Sequence, residues 1–228
     1  MTKKAQTPET DILVESKGKI ETFFDKFGSK VMWGIVAVTV IAVGIFIWSN
    51  YSDSKQEQIN LDAEAKFIAT QNEYPFGFTT NYTEAAEAYL AIANEYEEAA
   101  INPICYFVAA SSYLQAYSTS LDVADLENAK AAIAKFTKVE GEYGKHINAM
   151  ALTLKGDIAV EEKDYATAAN HFESALAAST NSDIYGMNAV KLGLTYEAQG
   201  KDAEAQEVYK KAVEEYPVLD AKMKTYIK

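Results

Sequence analysis

The chain has 228 residues at 25.1 kDa, 49% hydrophobic and 24% charged, with all 21 basic residues lysine and a net charge of −12. That mix excludes disorder along most of the chain, and an acidic balance without any arginine argues against nucleic acid as a partner. One Cys and 2 His exclude an intrachain disulfide framework and a cysteine-based zinc site.

The first 30 residues read as a cytoplasmic leader. Ile20, Phe23, Phe24 and Phe27 recur at helical spacing, interleaved with Lys17, Lys19, Lys26 and Lys30. A short amphipathic helix on the inner leaflet and a plain helical extension of the next segment fit this pattern alike. Val31 to Trp48 follows, 18 residues without a charge. As a helix it spans roughly 27 Å, close to the hydrocarbon thickness of a bilayer. Trp33 near one end, and Trp48 and Tyr51 at the other, suit the interfacial belts. A buried core helix is the alternative, but few stay apolar on every face for so long. A cleaved signal peptide fits less well, because SNYSDS after the run offers no small-residue cleavage site. Six Lys precede the run, against Lys55 and Lys66 soon after it. That bias predicts an uncleaved signal anchor with residues 49–228 across the membrane. The run holds no ionisable group, so a channel or proton-coupled transporter is not indicated.

From residue 51 the apolar spacing is helical throughout. It predicts helices near 52–73, 82–100, 103–118, 123–138, 146–161, 165–179, 183–199 and 202–215, then a short one near 219–227. Breaks fall at Pro75-Phe76-Gly77, Asn102-Pro103, Gly141 to Gly144, Lys163-Asp164, Thr180 to Ser182, Gly200-Lys201 and Pro217.

A repeat emerges from the last two hairpins. Gly193 is followed by Tyr196, Ala205, Tyr209, Ala212 and Pro217; Gly156 is followed by Ala168, Phe172 and Ala175 at the same offsets. This spacing resembles the tetratricopeptide pattern of small residue, aromatic, Ala, aromatic, Ala and Pro. It places Gly156 and Gly193 where paired helices nearly touch, with Ala168 and Ala205 answering them and Phe172 and Tyr209 filling the gap to the next repeat. Tyr82, Ala85 and Tyr89, and then Tyr113 with Ala129, match in part. The predicted architecture is all-α: one transmembrane helix, then about four hairpins in a tetratricopeptide-like solenoid with a C-terminal cap. A plain helical bundle is the alternative.

No catalytic constellation is present. His146 and His171 stand alone, the carboxylates fall in helical runs that read as solvated faces, and Gly141 to Lys145 lacks the Walker spacing. Cys105 lies in an apolar helix and reads as a small buried hydrophobe. The reading is a non-enzymatic chain with no cofactor, metal or small-molecule substrate. The first helix of each hairpin should line the concave face of such an array. The register from Gly156 and Gly193 puts Met150, Thr153, Asp157, Met187, Val190 and Leu194 there. By analogy through Tyr113, Ile104, Phe107 and Ser111 join them. Each position either faces that groove or packs against the neighbouring repeat.

Phe23-Phe24, Gly28-Ser29-Lys30, the apolar run with Gly44, then Trp48 and Tyr51, precede a Gln/Ala/Glu-rich helix and the repeat hairpins. This order resembles the YfgM family, ancillary subunits of the bacterial SecYEG translocon. The resemblance implies an inner-membrane protein with a cytoplasmic N-terminus and a periplasmic repeat domain. It further implies partnership with the translocon and with PpiD, a membrane-anchored periplasmic chaperone. The chain departs from the family in its tyrosine content and in the long loops Pro75–Asn81 and Ser118–Val123. A different class stays open: an envelope-assembly or cell-division coordinator using the same interaction surface.

Overall fold

The computed structural model describes residues 52–75, 81–179 and 181–227, apart from the side chains at 142 and 143. The chain divides into two units, residues 1–57 and 58–228. The leader, the apolar run Val31 to Trp48, and Phe23, Phe24, Phe27, Trp33, Trp48 and Tyr51 all lie outside the described residues. Among those described, no helix is long and apolar enough to cross a membrane.

Every regular element described is helical. Helix α1 covers residues 52–73. It is followed by α2 (Tyr82–Glu95), α3 (Asn102–Ser120), α4 (Val123–Ala134), α5 (Gly141–Glu161), α6 (Tyr165–Ala178), α7 (Ser182–Ala198) and α8 (Asp202–Glu215). A 3-10 turn, Pro217–Leu219, leads into the short α9 (Asp220–Met223).

Local chemistry sets the boundaries. Asn81, Asp122, Asp164 and Asn181 accept backbone N–H bonds at the starts of α2, α4, α6 and α7, satisfying donors that have no partner inside the helix. The bonds Asp164 accepts from Thr167 hold its carboxyl below the usual range. Three hairpin corners close on a left-handed residue: Leu121, Lys163 and Gly200. Only the third is a glycine, the residue that adopts this conformation without strain.

The loop expected over Ser118–Val123 shrinks to residues 121–122, the last helix ends at Met223 rather than near 227, and three further boundaries move for a visible reason. Helix α2 ends at Glu95 rather than near 100, because the Asn102 side chain donates to the Ala93 and Tyr96 carbonyls and closes a corner there. Helix α4 stops at Ala134 rather than near 138, and Phe136 turns back to meet Phe107 edge-on at 6.5 Å. Helix α5 starts at Gly141, so the expected break is its first turn. Asn148 bonds both the N–H and the carbonyl of Val139. That folds the preceding loop onto the helix, where a Cβ at Gly144 would fall 2.2 Å from the Val139 oxygen.

The core runs as linked clusters along the array. One joins α2 to α5 through Tyr89, Cys105, Tyr113, Leu126, Ile133, Leu154 and Ile158. The next joins α5, α6 and α7 through Ala159, Phe172 and Leu192. The last joins α7 and α8 to the tail, where Leu219 and Met223 are buried and Tyr226 stacks 5.3 Å from Tyr209. Each helix pair buries its apolar faces only with its neighbours' help, which is the logic of a solenoid.

The glycines do sit at close contacts, and the nearest atoms to each belong to the aromatic side chain expected to fill the gap to the next repeat. A Cβ on Gly156 would fall 2.5 Å from Phe172, and one on Gly193 would fall 2.2 Å from Tyr209. The buried positions also correct the register of the α3–α4 hairpin. The buried set Ala168, Ala169, Phe172 and Ala175 of α6 recurs in α4 as Asp125, Leu126, Ala129 and Ala132. Ala129 therefore holds the place of Phe172, and the same shift puts Tyr113 in the place of Gly156. The analogy that brings Ile104, Phe107 and Ser111 beside Met187, Val190 and Leu194 instead equates Tyr113 with Tyr196.

Candidate partner-binding groove

The first helices of three successive hairpins, α3, α5 and α7, line a groove of about 630 Å³. Ser111, Leu114, Gln115 and Ser118 come from α3, and Leu154, Asp157, Val160 and Glu161 from α5. Lys191, Leu194, Thr195 and Ala198 come from α7, while Tyr165 and Phe172 of α6 complete the lining. The repeat explains the convergence: Leu154, Asp157 and Glu161 occupy the same places in α5 as Lys191, Leu194 and Ala198 in α7.

One ion pair crosses the groove. The Lys191 ammonium donates to Asp157 Oδ1 at 2.5 Å, with the two side chains 33% and 27% exposed. Lys191 Nζ also lies 6.0 Å from the centre of the Phe172 ring. Burial pushes the Asp157 carboxyl up, and the neighbouring ammonium only partly offsets it. The Thr195 hydroxyl donates to the Lys191 carbonyl, and Gln199 donates to the Tyr165 carbonyl near the end of the groove.

Of the predicted groove residues, Ser111, Asp157 and Leu194 line it. Met150 is exposed outside it, and Ile104 and Met187 are half-buried outside it. Val190 packs with the C-terminal core. Phe107 and Thr153 are buried. Phe107 packs in the first core, and the Thr153 hydroxyl bonds Asn188 Oδ1 at 2.8 Å, joining α5 to α7. The groove thus opens further along the three helices than expected, towards their C-terminal ends. Leu114, Leu154, Lys191 and Thr195 were missed. The signal for two of them is the exchange of Leu154/Asp157 for Lys191/Leu194 between repeats.

A smaller cleft of about 430 Å³ lies on a different face of α7, between α6 and α8. Glu173, Glu204 and Glu207 edge it above Leu176, Leu192 and Val208. The Tyr196 hydroxyl donates to Glu173, and that bond with burial pushes its phenol up to about 12. Elsewhere, burial pushes the Cys105 thiol up to about 12, which leaves it without nucleophilic character. Burial, aided by Lys155, lowers His171. Among the described residues no cluster of His, Cys, Asp or Glu is placed to hold a metal ion.

Stacked helical hairpins around a groove of first helices define a repeat scaffold, a fold typical of non-enzymatic interaction proteins. The comparison with known families agrees: a tetratricopeptide-repeat family model matches residues 189–217, from within α7 to the turn after α8. No curated protein matches the chain.

Proposed function

We propose that the protein is a single-pass, membrane-anchored scaffold whose repeat domain docks protein partners on the periplasmic side of a bacterial inner membrane. On this reading it is an accessory subunit of the SecYEG translocon that links the channel to a PpiD-like chaperone. The observation that carries the docking function is the groove shared by α3, α5 and α7, open and lined by apolar and polar side chains in equal number. The apolar run and the lysine bias around it support the anchor and its orientation. The domain's charge supports a basic partner surface: residues 49–228 hold 15 Lys against 28 Asp plus Glu. Such a field speeds and orients the approach of a positive partner.

Crosslinking followed by co-purification of the full chain from mildly solubilised membranes tests the assignment. SecY and a prolyl-isomerase-like chaperone should come down with it, and less of both with Leu194→Lys. Recovery of division or outer-membrane assembly factors instead would move the protein to envelope coordination. Protease added to spheroplasts should digest residues 52–228. Protection of that domain would overturn the orientation.

A further inference from the structure

We infer that the Asp157–Lys191 pair is a clamp for the backbone amide of an extended polypeptide, so that the groove selects unfolded segments over docked helices. This rests on the groove being the docking site. At Asp157 the repeat otherwise puts leucine, Leu114 in α3 and Leu194 in α7; at Lys191 it puts Leu154 in α5 and Ser111 in α3. The pair sits in the groove lining with Leu114, Leu154 and Leu194. Its two side chains are only about a third exposed, yet among the described residues neither has a hydrogen-bond partner beyond the other. Asp157 therefore keeps a free acceptor oxygen, and Lys191 keeps free N–H donors.

An occupant that covered this pair with hydrocarbon would strip its water and return no hydrogen bond, which is costly for a half-buried charge. A helix has that defect, because its own backbone amides are bonded internally. An extended chain presents a free N–H and a free C=O, the first matching Asp157 and the second Lys191. Its alternate side chains would then point to the leucines. The dimensions agree: three neighbouring helices at about 8–10 Å spacing cover about 16–20 Å, which is about five or six extended residues. Basic residues flanking the apolar stretch would meet Glu161 and the acidic surroundings.

The test uses the full chain in phospholipid nanodiscs and two fluorescein-labelled probes read by anisotropy. One is the heptapeptide Lys-Leu-Thr-Leu-Thr-Leu-Lys; the other is the same peptide N-methylated at its leucines, which removes N–H donors but keeps the side chains. The unmodified chain should prefer the first by about ten-fold. In Asp157→Leu/Lys191→Leu, checked for an unchanged helical signal, that preference should fall to within about two-fold. Asp157→Asn, which removes the charge and exchanges one of the two acceptor oxygens for an NH2 donor with little change of shape, should also reduce it and serves if the double variant does not fold. Absence of binding or preference in the unmodified chain, or a preference that persists in the folded variants, overturns the clamp. Leu114→Lys separates this from the docking site itself. Loss of both probes places them in the groove, whereas undiminished binding of both overturns the groove and the clamp with it.

Discussion

The α3–α4 hairpin and the two hairpins that follow solve one packing problem with opposite residues. In α5–α6 and α7–α8 a glycine on the first helix lets an aromatic ring of the second lie against its backbone: Gly156 under Phe172, and Gly193 under Tyr209. In α3–α4 the large residue has changed helices, with Tyr113 in the glycine's place and Ala129 in the ring's, both buried. The seams between first helices differ likewise. Thr153 and Asn188 meet by a buried hydrogen bond between α5 and α7, while their equivalents Ala110 and Ala151, from α3 and α5, are both buried alanines. The fold conserves the filled volume and leaves open which helix supplies it.

The largest expected effect tests the glycine. Gly193→Leu should lower the thermal midpoint severely, with a cost at or above the roughly 1–3 kcal/mol usual for overpacking, because even its Cβ would fall 2.2 Å from the ring. An unchanged midpoint would mean that the contact, and the comparison with it, is wrong. Next, Asn188→Ala should cost roughly 1–3 kcal/mol by emptying a fully buried amide site and removing the bond to Thr153, whose hydroxyl keeps the Ala149 carbonyl as a partner. Thr153→Ala/Asn188→Ala, which copies the α3–α5 seam, should cost less than the two single changes added together. If the two costs simply add, the bond across the seam contributes nothing.

A transplant sharpens the point further. Gly193→Tyr/Tyr209→Ala moves the ring as α3–α4 has it, and should lie within about 1.5 kcal/mol of the parent while Gly193→Tyr alone does not. Failure of the double variant to recover stability would show that the exchange needs more than the two positions. The smallest effect concerns the ring's hydroxyl. Tyr209 Oη is buried without a partner among the described residues, and burial pushes its phenol up to about 12. The unfolded chain loses this proton near pH 10 and the folded chain near 12, so the stabilisation is complete below pH 10 and drains away as pH rises from 10 to 12. Tyr209→Phe should flatten that alkaline decline and leave neutral stability unchanged or slightly higher. A decline as steep as the parent's would exclude Tyr209 as its source.

This comparison explains what the sequence made legible. The last two hairpins carry the same residues at the same spacing, so Gly193, Ala205, Tyr209 and Ala212 fixed their register by inspection, and the family match falls there. The α3–α4 hairpin keeps the volumes but not the residues, so matching Tyr113 to an aromatic position shifted its register. That shift put Ile104, Phe107 and Ser111 where Phe107, Ala110 and Leu114 belong, and so passed over Leu114, which lines the groove. The groove itself was legible as a class of surface, the inner face of first helices. Its place along those helices was not, because apolar spacing alone does not separate a leucine that faces an opening from a valine that packs on the next element, as Val190 does. Asn148 and Asn102 shifted helix ends through bonds to backbone groups that a sequence pattern does not display.

The C-terminal tail also bears on how such an array can lengthen. Leu219, Met223 and Tyr226 occupy the side of α7 and α8 where a further hairpin would stack, and Leu219 presses close enough to Gly186 that a Cβ there would lie 2.7 Å from it. A duplication appended after residue 227 would meet a surface already taken. One inserted internally, as a tandem copy of the 37-residue block that separates Gly156 from Gly193, would find α6 below and α7 above, both shaped to receive a hairpin. An array built this way therefore has a direction of growth: a new unit fits in the middle, and the terminal pair with its tail would be displaced outward intact.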